Sequence, residues 1–118
     1  MDYPATFIAT LFHSATNTHF MHLQTDSYAK HVALGEYYDE IVELVDKYAE
    51  AYQGCYDVIK TYPKEFHVAT DPVKYMKSIK EFVKEIRTEL PDDTELCNII
   101  DEIADLIDST LYKLKTFK

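Results

Sequence analysis

Only two glycines and four prolines punctuate this chain of 118 residues. That scarcity constrains the fold more than any motif does. Sheets and hairpins need frequent turns, and tight turns lean on Gly and Pro. Few interruptions favour long helices. Apolar residues recur at helical spacing through four segments. The first, about residues 3–24, carries Ile8, Leu11, Phe12, Ala15 and Leu23, with Asp2 as a cap and Pro4 in the first turn. The second, about 26–53, carries Leu34, Tyr38, Ile41, Val45, Tyr48 and Tyr52, with Thr25 or Asp26 as its cap and Gly54 just past its end. The third, about 72–90, opens on Asp71-Pro72 and carries Met76, Ile79, Val83, Ile86 and Leu90. The fourth, about 93–116, follows LPDDTE and carries Leu96, Ile100, Ile103, Ile107, Leu111 and Leu114.

Connection lengths set the expected topology. The first and last connections are a few residues each, which predicts two antiparallel hairpins. The middle connector, CYDVIKTYPKEFHVAT, keeps no clean period and is split by Pro63. Fully stretched it reaches roughly 50 Å. A second helix of about 28 residues is roughly 42 Å long. The connector is therefore long enough to cross the bundle and set the second and third helices parallel. The expected fold is all-α, a single four-helix bundle over residues 1–118.

A formal charge of −9 argues against nucleic acid as a direct ligand, since phosphates need clustered Lys and Arg. No apolar run approaches the length of a membrane span and no secretory signal opens the chain, so a cytoplasmic location is expected, the host cytoplasm if the gene is viral. Cys55 and Cys97 lack CxxC spacing and read as free thiols. No Ser/His/Asp triad, P-loop, dinucleotide fingerprint or zinc finger is present.

Three of the five histidines fall in HFMHLQTDSYAKH, at His19, His22 and His31. At 100° per residue His19 falls within the stripe of Ile8, Phe12 and Ala15, with His22 beside it, so both are expected to face inward or sit at the boundary. Next comes a line of acids, Glu36, Asp39, Glu43, Asp46 and Glu50, spaced 3, 4, 3 and 4. Such a line is ordinarily a solvated face, and a lone inward histidine ordinarily bonds a neighbour. His31 and Asp46 stand about 22 Å apart along one helix. They can share an ion only if a second, antiparallel copy of the helix supplies one of them.

His19, His31, Asp46 and Glu50, with VDKYAE, resemble the DNA-protection proteins of starved cells, the Dps family of mini-ferritins. In that family a histidine near the end of the first helix is followed twelve residues later by another. Fifteen residues further comes Asp-x-x-x-Glu, donated by the partner subunit. The resemblance covers about residues 5–54. It implies a ferritin-like bundle, at least dimeric, that binds Fe(II) and oxidises it with peroxide or oxygen. His19 and His31 would supply nitrogen, the partner's Asp46 and Glu50 oxygen, and His22, Glu36 and Asp39 would be accessory ligands. Mixed N/O sites suit iron, with manganese or zinc as substitutes. The family's acid four residues after the second histidine is Gly35 here, its tryptophan is Phe20, and its lysine-rich tail is absent. Gly35 favours the alternative, a ferritin-like bundle without ferroxidase chemistry that serves as an oligomeric structural or interaction module. A third reading has the acids of the second and fourth helices, including Asp101, Glu102, Asp105 and Asp108, docking a basic partner. A di-iron site within one chain would need Glu-x-x-His on two helices, and the last two helices contain no histidine.

Overall fold

The computed structural model describes residues 2–117. It contains four helices: α1 (Tyr3–Gln24), α2 (Tyr28–Cys55), α3 (Pro72–Ile86) and α4 (Thr94–Thr116), with no strand among the described residues. The Asp2 side chain accepts from the Ala5 amide and the Asp71 side chain from the Lys74 amide, as their positions predict. Three boundaries differ from the sequence expectation. Ser27, rather than Thr25 or Asp26, caps α2 by accepting from the Lys30 amide, while Thr25 accepts from the Ser27 amide and shapes the turn. Gly54 lies inside α2, which continues to Cys55. The third helix stops being α-helical at Ile86, tightens into a 3₁₀ turn over Arg87–Glu89 and opens at Leu90. Pro91 follows, and a residue preceding proline is driven out of the helical region.

Helix α2 packs on α1 and α4, and α3 packs on α4 and α1. Surface pairs fix the directions. Lys47 meets Glu102, Lys113 meets Glu36, and Tyr56 bonds Asp93, so α4 runs antiparallel to α2. Lys80–Asp108 and Arg87–Asp101 make α3 and α4 a second antiparallel pair. The connector climbs along α1. Phe66 meets the His13 ring edge-on at 4.9 Å. The buried Asn17 donates to the His67 carbonyl (2.9 Å) and the Tyr75 hydroxyl (3.1 Å), and accepts from the Ala69 amide (3.2 Å). Thr70 and Pro72 then line one cavity with Met21, Gln24, Thr25 and Lys30. Thus α3 begins at the end of the bundle where α2 begins. The two run parallel, and the connector spans the length between.

The core contains Ile8, Leu34, Ile41, Val45, Met76, Ile79, Val83, Ile86, Ile100, Ile103, Ile107 and Leu111, all buried. Phe12, expected in the core, is only half-buried, and Leu23, which shares the apolar spacing of the first helix, is 66% exposed. Their displacement has one cause. The buried stripe of α1 runs through Phe7, Leu11, Ser14, Thr18 and Met21. It is centred about one residue back from the expected stripe, so that Ile8 and Ala15 stay buried while Phe12 and His19 turn away from the core. Two polar members conceal it, and each is satisfied locally. Ser14 donates to the Leu11 carbonyl at 2.6 Å and accepts from the Tyr37 hydroxyl at 2.8 Å, while Thr18 donates to the Ser14 carbonyl at 2.7 Å. Burial raises the Tyr37 pKa, against the opposing effect of its Ser14 bond.

Candidate functional site

The rotation of α1 decides where its histidines go. His19 is exposed, contrary to the inward placement its spacing suggests, and its ring stacks on Tyr38 of α2 at 4.1 Å and 13°. His22 is half-buried at the junction with α2, where it stacks on His31 at 3.6 Å and 19°. Each of these two rings also reaches the other's backbone. His22 Nδ1–H donates to the His31 carbonyl, and His31 Nδ1–H donates to the His22 carbonyl at 2.8 Å. A carbonyl can only accept, so both Nδ1 atoms carry a proton and the remaining lone pair of each neutral ring sits on Nε2. The bond to the His22 carbonyl also serves α1, since that group lies in the last turn and has no partner within the helix.

Gly35 belongs to the same junction. A side-chain carbon there would meet the His22 ring at 3.1 and 3.2 Å. The position is not left empty for want of a ligand: the His22 imidazole occupies the space. His22 is thereby trapped between His31 and the backbone at Gly35, with Tyr38 at its edge 5.4 Å away.

The stacked pair limits what one chain can chelate. Imidazole lone pairs lie in the ring plane, and these planes are nearly parallel and a ring's thickness apart. His22 and His31 therefore cannot aim at a common ion as they stand. The His19 ring is 6.2 Å from His22. Among the described residues no group of three or more His, Cys, Asp or Glu could hold a metal ion within one chain. Asp39, Glu43, Asp46 and Glu50 are all exposed on α2. Glu36 is also exposed, but its carboxylate is engaged by Lys113 at 2.9 Å. The structure thus joins His22 to His31 and His19 to Tyr38, and leaves the acids along the outside of α2. The cross-helix reach of His22 had no signal in the periodicity, because it depends on how the α1–α2 turn closes.

Residues 22–114 match the model of a family of unknown function, DUF5856. The chain belongs to this family. The DUF5856 match takes in His22, His31, Gly35, Asp46 and Glu50, and begins after His19. The chain is also similar to a protein of Enterobacteria phage T4 described as an uncharacterized 14.6 kDa protein in the mobD-ri intergenic region. The two are 28% identical over 111 residues, 92% of this chain and 84% of the phage protein. No solved structure matches the chain. No helix among the described residues is long and apolar enough to cross a membrane.

Proposed function

We propose that this DUF5856 protein is a ferritin-like bundle that pairs through the outer face of α1 and α2 and takes Fe(II) as substrate between two copies. His19 and His31 supply nitrogen, and the partner subunit's Asp46 and Glu50 supply oxygen. Manganese or zinc can substitute in a mixed N/O site. One observation carries the reading. His31 commits its Nδ1–H to a backbone carbonyl and keeps Nε2 as the lone-pair nitrogen. Metal-binding histidines are typically oriented in this way, with the second nitrogen tied to a carbonyl or carboxylate. The exposure of His19, Asp46 and Glu50 leaves each able to meet a second copy. Bound iron would supply the one-electron chemistry toward peroxide or oxygen; the chain's part is to hold the ion among two imidazoles and two carboxylates. The protein acts as a homo-oligomer, at least a dimer, without a DNA or membrane partner, in the cytoplasm or that of a host cell.

A second reading is favoured by the packing of Gly35 beneath His22. If the histidine junction is purely structural, the protein is an oligomeric interaction module of the same fold without ferroxidase chemistry. An anaerobic Fe(II) titration of metal-free protein, with the mass measured in solution, separates the two. On the iron reading the wild type is dimeric or larger and binds Fe(II), and His31→Ala with Asp46→Ala abolishes binding. Identical titrations of wild type and double variant leave the structural module. A strictly monomeric mass at micromolar concentration removes the shared site.

A further inference from the structure

The far end of α2 carries a different arrangement. Tyr48, Tyr52 and Tyr56 follow at four-residue spacing, which places them on one side of the helix. Ring centroids are 6.4 Å apart from Tyr48 to Tyr52, at 23°, and 5.1 Å apart from Tyr52 to Tyr56, at 30°. The ladder leads from core to solvent: Tyr48 is fully buried, Tyr52 half-buried, and Tyr56 52% exposed. The hydroxyls at its two ends have opposite fates. That of Tyr48 is buried with no hydrogen-bond partner among the described residues, whereas that of Tyr56 donates to the Asp93 carboxylate. Asp93 occupies the N-cap position of α4, yet its side chain makes no capping bond. Asp2, Ser27 and Asp71 all cap their helices. The Asp93 carboxylate is diverted to the phenol.

We propose that Tyr56 is a site of one-electron oxidation by peroxyl-type radicals, with Asp93 as its proton acceptor, and that electron vacancies formed on the stacked Tyr52 and Tyr48 rings drain outward to it. An oxidised phenol is a strong acid, so the electron leaves readily only where the proton has somewhere to go. At Tyr56 a carboxylate stands ready. At Tyr48 no acceptor lies within hydrogen-bond reach among the described residues, so a vacancy created there is not trapped and is filled by an electron from the next ring outward. The balance is simple. A peroxyl radical takes one electron from Tyr56 and one proton from water to become a hydroperoxide. The Tyr56 O–H bond breaks, the proton passes to Asp93, and a neutral phenoxyl radical remains. Asp93 returns its proton to solvent. The radical ends by carbon–carbon coupling with a second phenoxyl, each ring releasing a proton as it regains aromaticity, or by taking an electron and a proton from a thiol. The bond to Asp93, with lesser help from burial, pushes the Tyr56 pKa up to about 12, so the proton stays on the phenol until the electron has gone.

The test exposes the intact protein briefly to peroxyl radicals from a water-soluble azo initiator and maps oxidised tyrosines by peptide mass spectrometry. Tyr28, 80% exposed, and Tyr112, 58% exposed, are internal references because both are more open than Tyr56. Tyr56 should be modified several-fold faster than either. Asp93→Asn should remove that preference, and Tyr56→Phe should move the modification to Tyr52 rather than to Tyr28. Three results would each overturn the proposal: wild-type rates that simply rank by exposure, an unchanged Tyr56 preference in Asp93→Asn, or an unmodified Tyr52 in Tyr56→Phe. The wild-type ranking requires no variant, so it decides the matter even if a substitution unsettles the start of α4.

Discussion

The two ends of α2 handle polar groups in opposite ways. At its start Ser27 caps the helix, and the His22–His31 pair closes on itself, each ring bonding the other's carbonyl. At its end a phenol lies buried without a partner among the described residues, and the neighbouring helix gives up its cap to hold Tyr56. The first end is satisfied by its own side chains. The second keeps a polar deficit inside the core and an unbonded helix terminus beside it. The difference teaches that packing quality is not uniform along one helix, and that the deficit falls at the end where the tyrosine rings stack.

The largest change should come from the core that both ends share. Ile103 is fully buried in α4. Ile103→Ala should lower stability by roughly 2–5 kcal/mol, read as a shift of the urea midpoint with one cooperative transition. Separate transitions for the two ends would show that they unfold independently. Tyr48→Phe should sharpen the contrast by removing the orphaned hydroxyl. A buried unsatisfied group costs about 1–3 kcal/mol, so this substitution should stabilise the protein, whereas a loss would reveal a partner for that hydroxyl.

Alkaline titration tests the same end by another route. Burial is the leading cause that raises the pKa of both Tyr37 and Tyr48, so each folded-state value lies above the unfolded one near 10. Their contribution to stability is complete below about pH 10. It should be lost progressively as pH rises toward the folded values, with ultraviolet absorbance showing both phenols ionising as the chain unfolds. Early ionisation without loss of helix would contradict their burial.

At the histidine end, Gly35→Ala sets two effects against each other. Helix propensity favours alanine by up to about 1 kcal/mol, while the new carbon crowds His22. The gain should be fully realised only in a His22→Ala background, and a double-mutant cycle measures the difference. Additivity would mean that the ring does not hold the glycine position. The smallest effect is expected from Asp93→Asn, within about 0.5 kcal/mol, because the side chain makes no cap bond and an amide oxygen can still accept from the Tyr56 hydroxyl.

The third and fourth helices were legible from the sequence because every predicted member of their buried stripes is apolar, from Met76 to Leu114, and all are buried as expected. The first helix was not. Ser14 and Thr18 occupy core positions by bonding to nearby carbonyls, and apolar periodicity passes over them. The resulting one-residue displacement turned His19 outward and drew Met21 inward. Asn17 was invisible for a related reason, since its partners lie in the connector and α3. The spacing of His19, His31, Asp46 and Glu50 could be read directly, but the ring stack that occupies His22 could not. It arises from the closure of a three-residue turn, which carries no period.

The Asn17 contacts have a consequence for how quickly the chain can find its fold. Its hydrogen bonds span 50, 52 and 58 residues. The α1–α2 and α3–α4 pairs involve short connections and can zip locally, whereas the Asn17 bonds require the whole of α2 and the connector to be gathered into one loop. Loop-closure entropy grows with length, and distant contacts slow folding. Docking of the two hairpins, with the connector laid along α1, should therefore be the slow event. The Asn17 amide then acts as a late latch, reporting that the crossover has closed.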